Sequence, residues 1–479
     1  MQDHAGADTL APPCRQLADL PGPRALPLLG NLHQMHLGRV HQDMEGWRRE
    51  YGPLFRVLIG TNPMLVVADH VLIGQVLRDR PAIFRRPSIT AEVADELGGV
   101  PGVFEAEGAD WRNQRRMVMQ AFAPHAVKAY FPSLVQVGQR LQRRWEAAAA
   151  AGQAIDLCAD LRMYSVDIVA GLAFGSDVNT IESGDNAIQR NLDKILPAVG
   201  RRSMAPFPYW RYIKLPGDRQ LERCVAATRE AVDALVAQAR ERMRADPLLA
   251  QRPRNMLEAM LAAAAQPDSG VTEREVAGNV LTMLLAGEDT TSNSLAWLIW
   301  LLHRHPDIAA LAREEVLRVA PVSAALTIEQ LDALDVVEAC AHEALRLKPP
   351  AAFLPFEALV DTVVGDVRVP KGTLVWCVMR GSSVDDAWVS NAAQFDPQRW
   401  LEEGIDKKVS LPFGAGPRTC PGRYLALLEI KVAMAMLLAR FEIVSVGTAH
   451  GGEPAEKLGF VMEPETLHMR LQTRLQMRA

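Results

Sequence analysis

The stretch FGAGPRTCPG at residues 413–422 decides how the rest of this chain is interpreted. Its glycines and prolines predict a tight loop, and the apolar residues that follow at 425–441 have helical spacing. Cys420 therefore sits at the N-terminal mouth of a helix, where unpaired backbone N–H groups and the helix dipole favour a thiolate. The thiolate is the form that binds metals, whereas a lone cysteine is more commonly a buried free thiol.

Five residues of this stretch fit the pattern Phe-x-x-Gly-x-Arg-x-Cys-x-Gly, which begins at Phe413 and ends at Gly422. The pattern resembles the haem-binding loop of the cytochrome P-450 family, the haem-thiolate monooxygenases. The resemblance implies haem b as the cofactor, with Cys420 as the axial ligand of its iron. It also implies that the other loop residues Phe413, Gly414, Arg418 and Gly422 contact the cofactor.

The length and composition describe a large, mildly acidic globular protein. Its 479 residues exceed the roughly 250–300 at which a single hydrophobic core stops growing, so two domains or one lobed fold is expected. The chain has 52 basic and 57 acidic residues, a net charge of −5, which argues against a nucleic-acid-binding protein.

The six cysteines are scattered and include no Cys-x-x-Cys pair, which argues against a zinc site or a disulfide framework and favours a reducing cytosol. No apolar run approaches the roughly 18 residues that a membrane-spanning helix needs. The first residues lack the basic and apolar regions of a signal peptide. We therefore expect a cytoplasmic protein without a membrane span, and the resemblance implies a soluble, bacterial-type member of the family.

A small β-rich lobe is predicted near the N-terminus. Residues 1–19 are small, polar and proline-containing, which indicates a disordered segment before a single domain at 20–479. Apolar runs at 55–59 and 64–68 flank a Gly-Thr-Asn-Pro turn, the pattern of a β-hairpin, so the lobe covers about residues 50–70. Residues 458–464 are similar to the last hairpin of the family, and most of 125–250 is helix-forming.

Trp111 and Arg115 lie four residues apart, which places them on one face of a predicted helix. An indole N–H and a guanidinium on one face can hold a carboxylate together, although a solvated basic face is the simpler interpretation of the spacing alone. The pattern resembles the family helix that holds the haem propionates. The resemblance implies that Trp111 and Arg115 bind those carboxylates together with Arg418.

A long helix is predicted from a capping box at Thr272 and Glu275 to the proline at Pro306. At about 1.5 Å per residue it would be about 50 Å long and would cross the molecule. Its middle reads AGEDTT at residues 286–291, where small and polar residues interrupt an apolar helix. Such an interruption costs helix stability and indicates a functional site.

The AGEDTT segment resembles the oxygen-activation motif of the family. Ala286 and Thr290 share one helix face, and Gly287 leaves room for a ligand or a local widening of the helix. The Thr290 hydroxyl can donate a hydrogen bond to bound oxygen, and Asp289 can bring protons in from water. The adjacent Glu288 is a second acid, so the choice between the two carboxylates stays open, with Asp289 preferred. The alternative is a helix kink at which Thr and Asp merely contact water.

Two later segments predict a structural network. Glu343 and Arg346 form a Glu-x-x-Arg pair in a helix, and Arg399 lies in a segment that resembles the family pattern Phe-x-Pro-x-Arg-Phe/Trp. The family joins these three residues into a core network behind the haem. They are therefore structural candidates rather than catalytic ones.

Candidate substrate-pocket residues come from three segments. In the family, the residues just after the Glu-x-x-Arg helix line this pocket, which indicates Ala351 and Phe353. Phe460 in the last hairpin is a further candidate, and Ala286 and Gly287 would face the same space from the central helix. For each of these residues taken singly, packing in the core is the simpler interpretation.

The order of these motifs along the chain matches the family throughout. The resemblance therefore implies a mainly α cytochrome P-450 fold, a triangular helical prism with a small β-rich lobe. It implies a monooxygenase that activates dioxygen and hydroxylates a lipophilic small molecule, such as a fatty acid, terpenoid or steroid. A haem-thiolate peroxygenase or isomerase would share the fold, and a cofactor-free helical binding protein is a remote alternative.

Electrons are expected to come from a separate ferredoxin or flavodoxin with its reductase, because no fused flavin domain is predicted. An acidic donor would be attracted by a basic surface on the cysteine side, formed by Arg112, Arg116, Lys407, Lys408 and Arg423. Scattered solubility charges are an equal alternative for these five residues. The protein is expected to be a monomer with no nucleic-acid partner.

Overall fold

The computed structural model describes residues 14–474, except 98, 100, 176, 185–186, 204–206, 322–324 and 403–404. Helices dominate this part of the chain, which confirms the predicted mainly α fold. In chain order they are α1 (Val40–Tyr51), α2 (His70–Arg78), α3 (Ser88–Glu96), α4 (Gly108–Ala121), α5 (Pro124–Ala150), α6 (Leu157–Phe174), α7 (Thr180–Ser183), α8 (Ala187–Ser203), α9 (Pro216–Ala245), α10 (Met256–Ala264), α11 (Glu273–Arg304), α12 (Pro306–Val319), α13 (Ile328–Asp332), α14 (Asp335–Leu347), α15 (Gln398–Leu401) and α16 (Arg423–Arg440).

The strands within the described residues form four small sheets. They are β1 (Arg15–Gln16), β2 (Leu54–Ile59), β3 (Asn62–Val67), β4 (Phe84–Arg85), β5 (Ile155–Asp156), β6 (Phe353–Ala358), β7 (Thr362–Val364), β8 (Val367–Val369), β9 (Leu374–Val378), β10 (Phe441–Gly447), β11 (Glu456–Leu458), β12 (Met462–Pro464) and β13 (His468–Thr473). The sheet orders are β2-β3-β9-β6-β4, β1-β8-β7, β10-β13-β5 and β11-β12.

The five-stranded sheet contains the hairpin expected near the N-terminus, as the antiparallel pair β2 and β3. β3 then pairs in parallel with β9, and β6 and β4 complete the sheet with antiparallel pairs. Side chains alternate along each strand, so Met64 and Val66 pack on one face while Leu65 and Val67 pack on the other. Both faces of the sheet are therefore covered.

The first described residues differ from the expectation of a disordered segment at 1–19. Residues 1–13 lie outside the described part of the chain. Arg15–Gln16 pair in parallel with β8, and the Arg15 guanidinium forms an ion pair with Asp366 at 2.7 Å. The side chain of Leu17 is buried in the core beside the sheet. The predicted disorder is wrong for Arg15–Asp19, because apolar burial and strand pairing hold this short segment in place.

The helix α11 runs through the centre of the helical core and packs along α6, α10, α14 and α16. The expected capping box is present: the Thr272 hydroxyl accepts from the Glu275 N–H at 3.3 Å, and the Glu275 carboxylate accepts from the Thr272 N–H at 2.6 Å. The helix ends at Arg304, just before Pro306 begins α12. Its 32 residues give a length of about 48 Å.

The Glu343, Arg346 and Arg399 side chains meet in a buried network. Nε and Nη2 of Arg346 each donate to one oxygen of the Glu343 carboxylate at 2.8 Å. Arg399 donates to the same carboxylate at 2.9 Å. The indole N–H of Trp400 donates a further bond at 2.8 Å. Such satisfied partners are what a fully buried ion pair requires, so the network ties α14 to the segment that precedes the Cys420 loop.

Among the described helices, none has the length together with the apolar content that crossing a lipid bilayer requires.

Candidate functional site

A large internal cavity lies between α11, α4 and the loop at 413–422. Its wall includes most of the residues that the sequence singled out, which come from four separate parts of the chain: Trp111, Arg115, Ala286, Gly287, Thr290, Ala351, Phe413, Gly414, Arg418, Cys420 and Gly422. The fold therefore brings Cys420 and the AGEDTT segment to walls of the same cavity.

The loop that carries Cys420 is held by its own backbone. The Cys420 N–H donates to the Phe413 carbonyl at 2.9 Å, and Gly414 adopts a left-handed φ of 72°. Gly416 also has a positive φ, and a Cβ at this position would lie 2.6 Å from the Cα of Arg78. Glycine is needed there because the loop packs directly on the C-terminal end of α2.

The Cys420 side chain is accessible because it faces the cavity. Burial raises the pKa of its thiol, and the N–H of Gly422 and the charges of Arg115 and Arg423 lower it by less. The expected preference for the thiolate is therefore outweighed by burial in the protein alone. A metal cation bound to the sulfur would supply the missing stabilisation, since coordination deprotonates a thiol.

Arg115 lies beside this loop, and Arg418 is part of it. Arg115 donates to the Thr419 carbonyl at 2.7 Å, which ties α4 to the loop. Arg418 lies over the ring of Trp111, with its guanidinium carbon 4.8 Å from the ring centre, and forms an ion pair with Glu107. Two further nitrogens of Arg418, Nε and Nη1, are buried without a hydrogen-bond partner. These donors are available to an anionic group inside the cavity.

Two cavity arginines were missed by sequence reasoning. Arg80 and Arg86 follow α2 and reach the cavity wall. Arg86 lies over the Phe104 ring and donates from Nε to the Phe104 carbonyl at 2.8 Å. Burial lowers the pKa of Arg86 to about 10 and that of Arg80 to about 8. No local pattern marks these residues, because only the packing of α2 on the Cys420 loop brings them to the site.

The opposite wall is formed by the AGEDTT segment of α11. The Thr290 hydroxyl donates to the Ala286 carbonyl at 2.7 Å, and the two residues face the cavity together, as the spacing predicts. A Cβ on Gly287 would lie 2.5 Å from a Val169 methyl of α6. Gly287 thus has a packing role that the sequence did not indicate, because it lets α6 approach α11.

The two adjacent acids of this segment lie beside one arginine. Arg162 of α6 lies 3.5 Å from the Asp289 carboxylate and 3.8 Å from that of Glu288. The Asp289 side chain is 26% exposed and that of Glu288 only 5%. Thr290 lies on the cavity wall, whereas the Asp289 carboxylate is directed toward Arg162. The Asp289 carboxylate and the Thr290 hydroxyl therefore belong to adjacent residues but lie on different sides of the helix.

Glu429 of α16 is a further wall residue that sequence reasoning missed. Its side chain is fully buried, and Oε2 has no hydrogen-bond partner among the described atoms. Burial raises the pKa of Glu429 to about 8, although a hydrogen bond with Thr291 acts in the other direction. The Glu429 carboxyl is therefore mostly protonated at neutral pH. Its hydrogen bond with Thr291 connects α16 to α11.

Two residues predicted to face the substrate pocket, Phe353 and Phe460, do not line this cavity. Phe353 packs edge-on against Trp376, with ring centres 4.8 Å apart, and its neighbour Leu354 lines the cavity instead. The reason is strand alternation in β6, which turns successive side chains to opposite faces. Phe460 is 46% exposed and lies against Phe104, 5.7 Å between ring centres, so it is one layer behind the cavity wall.

The residues of the cavity fit haem b. One wall presents the Cys420 sulfur, the edge presents unpartnered guanidinium donors of Arg418 and Arg80, and much of the remaining wall is apolar. In the described residues, no group of three or more His, Cys, Asp or Glu is arranged to hold a metal ion. A metal held mainly by its own macrocycle, with one sulfur ligand from the protein, matches this donor set.

Comparisons with known proteins show the family of this chain. The family model described as Cytochrome P450 matches residues 20–471. The chain is 28% identical to the cyclooctat-9-en-7-ol 5-monooxygenase of Streptomyces melanosporofaciens over 91% of this chain and 92% of that protein. It is also 28% identical to the mitochondrial 25-hydroxyvitamin D-1 alpha hydroxylase of Rattus norvegicus over 95% of this chain and 94% of that protein.

The fold is similar to the crystal structure of the cytochrome P450DA heme domain, with a TM-score of 0.83 at 25% identity. The similarity covers 96% of this chain and 99% of that one. The family match, the relatives and the cavity thus agree along nearly the whole length of the chain. The chain belongs to the cytochrome P450 family and is an oxidoreductase that binds haem b.

Proposed function

We propose that the protein is a monooxygenase that hydroxylates a lipophilic small molecule of fatty-acid, terpenoid or steroid type. The observation that supports this most strongly is one cavity that joins the Cys420 sulfur, the Thr290 hydroxyl and an apolar wall. The names of two relatives, a cyclooctat-9-en-7-ol 5-monooxygenase and a 25-hydroxyvitamin D-1 alpha hydroxylase, are consistent with hydroxylation of such molecules.

In this proposal Cys420 is the axial ligand, and Trp111, Arg115 and Arg418 hold the propionates. Haem b supplies the redox and oxygen chemistry when bound. The buried donors of Arg418 support its part in this scheme, because an anion would satisfy them. Phe413, Gly414 and Gly422 would shape the loop against the cofactor.

Thr290 and Asp289 are the proposed proton-delivery pair. The Thr290 hydroxyl faces the cavity and can hold a proton at Oγ1, where reacting oxygen would lie. Asp289 is the better candidate of the two acids for exchange with water, because its side chain is more exposed than that of Glu288. Arg162 lies 3.5 Å from the Asp289 carboxylate and would hold it in place beside Thr290.

The apolar part of the wall would orient the substrate and exclude water. It contains aliphatic, aromatic and thioether side chains from several elements: Val103, Phe104, Val169, Leu172, Met256, Met283 and Leu354. Ala286 and Ala351 are small and lie on the same wall, which leaves space beside Thr290. A lipophilic substrate is favoured because these groups give it few polar partners.

The proposed electron donor is a separate acidic protein of ferredoxin or flavodoxin type. Arg112 of α4 and Arg423 at the start of α16 are exposed, and Lys407 and Lys408 are exposed on a turn that packs against α2. Arg116 is exposed as well, although it donates to the Ser269 carbonyl at 3.0 Å. Exposed cations near the haem would steer an acidic donor.

We also propose that the enzyme works in the cytoplasm as a monomer. All six cysteines are free thiols in the structure, which is consistent with a reducing compartment.

A screen of lipophilic compounds against the resting haem protein tests the proposal. Fatty acids, terpenoids and steroids that enter the cavity should shift the Soret band, and a positive compound should be hydroxylated when a ferredoxin, its reductase and NADPH are supplied. Turnover by hydrogen peroxide with no electron donor would favour a peroxygenase instead. Rearrangement of a ligand without donor or peroxide would favour an isomerase.

A further inference from the structure

Arg80 is a buried arginine on the cavity wall that lacks acceptors for its donors. Only 5% of the residue is exposed, and Nε and Nη2 of its guanidinium have no hydrogen-bond partner in the described structure. Buried arginines are normally paired, because a charge taken out of water without an acceptor is costly. An anion that the chain itself does not provide would satisfy these donors.

The protein groups around Arg80 support its position but leave its charge uncompensated. The guanidinium carbon lies 4.5 Å from the centre of the buried Phe356 ring. Burial raises the pKa of the nearby Cys377 thiol to about 12, so this group is neutral. The carboxylate that acts on Arg80, Glu107, already accepts a hydrogen bond from Arg418.

The charges along this edge of the cavity do not balance within the protein. Burial and the charges of Arg86 and Arg418 lower the pKa of Arg80. Four arginines lie on the cavity wall, Arg80, Arg86, Arg115 and Arg418. Glu107 pairs with Arg418, whereas burial raises the pKa of the neighbouring Glu105 carboxyl. The propionates of haem b are anions of the kind that this cluster of arginines lacks.

The backbone fixes Arg80 relative to the Cys420 loop rather than to α11. Arg80 follows α2 by two residues, and the loop packs so closely on α2 that a Cβ on Gly416 would lie 2.6 Å from the Cα of Arg78. Arg418 belongs to the same loop. A carboxylate held by Arg80 is thereby placed relative to Cys420, as a cofactor side chain needs to be.

We propose that Arg80 binds a carboxylate inside the cavity, and that this carboxylate is a propionate of haem b, which Arg80 holds together with Arg418. The inference depends on haem b occupying the cavity, as family membership implies, and not on the proposed substrate. A substrate carboxylate has the same chemistry, but the attachment of Arg80 to the Cys420 loop favours the cofactor.

Haem loss tests this without turnover. Arg80→Met removes the charge and keeps much of the side-chain length, and Arg78→Met at an exposed position is the matched control. Transfer of haem from the ferric protein to excess apomyoglobin should become about 10-fold faster in R80M, the size of a lost charge-assisted hydrogen bond. R78M should lose haem at the wild-type rate.

Haem dimethyl ester, whose propionates are esterified, separates this contact from general destabilisation. R80M and the wild type should lose the ester at equal rates, because Arg80 has no carboxylate to bind. Faster loss of the ester from R80M would overturn the assignment, and so would equal loss of haem b. Arg80→Lys retains a cation and should lose haem at an intermediate rate, which keeps the test available if R80M does not fold.

A titration with a long-chain fatty acid and its methyl ester distinguishes the other carboxylate source. The proposal expects R80M to bind both compounds with the same preference as the wild type. Loss of the preference for the acid, with haem loss unchanged, would assign Arg80 to the substrate and overturn the proposal.

Discussion

At the Cys420 sulfur, burial opposes ionisation, and the Gly422 N–H and two arginines act in the other direction with less effect. In the proposed site, a metal cation bound to the Cys420 sulfur would replace the thiol proton. The same residue was identified from the sequence by its place in a loop pattern, whereas the sign of its pKa shift depends on the depth of the cavity.

Removal of the Thr290 hydroxyl should uncouple electron consumption from product formation. Thr290 lies on the cavity wall, and in the proposed mechanism its hydroxyl passes a proton to reacting oxygen there. Thr290→Ala should bind substrate normally but release several-fold more hydrogen peroxide or water per electron pair. Product yield per NADPH consumed is the measurement.

Thr290→Ser is the control, because it keeps a hydroxyl on the same helix face and should retain most of the coupling. Tight coupling in Thr290→Ala would contradict the proton-delivery role.

Glu429 should make stability depend on pH. Its pKa is raised from 4.5 to about 8 by burial, so stability that is fully present below about pH 4.5 is lost as the pH rises through about 8. In Glu429→Gln this loss disappears. Between about pH 5 and about pH 8 the variant should gain roughly 3 kcal/mol of unfolding free energy relative to the wild type. Urea unfolding at each pH measures the difference.

Glu241→Gln is the matched control, because the Glu241 side chain is 75% exposed and its removal should leave the pH profile unchanged. A parallel pH profile for Glu429→Gln and the wild type would show that Glu429 titrates normally.

At the scale of single elements, α11 was the most predictable part of the site. Its capping box, its stop at Pro306 and the shared face of Ala286 and Thr290 are local properties of a helix. Strand β6 was less predictable, because the choice of Phe353 or Leu354 for the cavity depends on which face of the sheet turns inward.

A side chain at Gly287 should weaken the packing of α11 on α6. Its added Cβ would meet a Val169 methyl at 2.5 Å, which forces the helices apart. Overpacking outweighs the gain in helix propensity, so Gly287→Ala should lower the free energy of unfolding by about 1–2 kcal/mol. Thermal or urea unfolding of the haem protein measures the loss.

Val169→Ala in the Gly287→Ala background should recover part of that stability, because it removes the methyl that clashes. Strictly additive effects of the two substitutions would mean that the clash is not the cause.

At the scale of the whole molecule, the site exists only because distant segments meet. The motifs and their order could be taken from the sequence, and they gave the fold class, the cofactor and the residues around the sulfur. The parallel pairing of β3 with β9 joins residues 65–67 to 375–377, and no local pattern predicts such a register. Arg80 and Arg86 were missed for a similar reason, since their place at the cavity follows from the packing of α2 on the Cys420 loop.

Charge reversal on the exposed basic surface should slow the arrival of an acidic electron donor. The double variant Arg112→Glu, Arg423→Glu should reduce the second-order reduction rate by about 10-fold at low ionic strength and by much less at high salt. Stopped-flow reduction by a ferredoxin measures this. Reversal of the exposed Arg219 and Arg229 of α9 is the control, and an equal effect there would contradict a specific docking surface.

The most direct test of the account is the spectrum of the reduced, CO-bound protein with and without the Cys420 sulfur. The wild type should show the strongly red-shifted Soret band of thiolate ligation, and Cys420→Ala should lose it even where haem is retained. A red-shifted band that persists in Cys420→Ala would contradict the assignment of Cys420 as the ligand, and with it the central site described above.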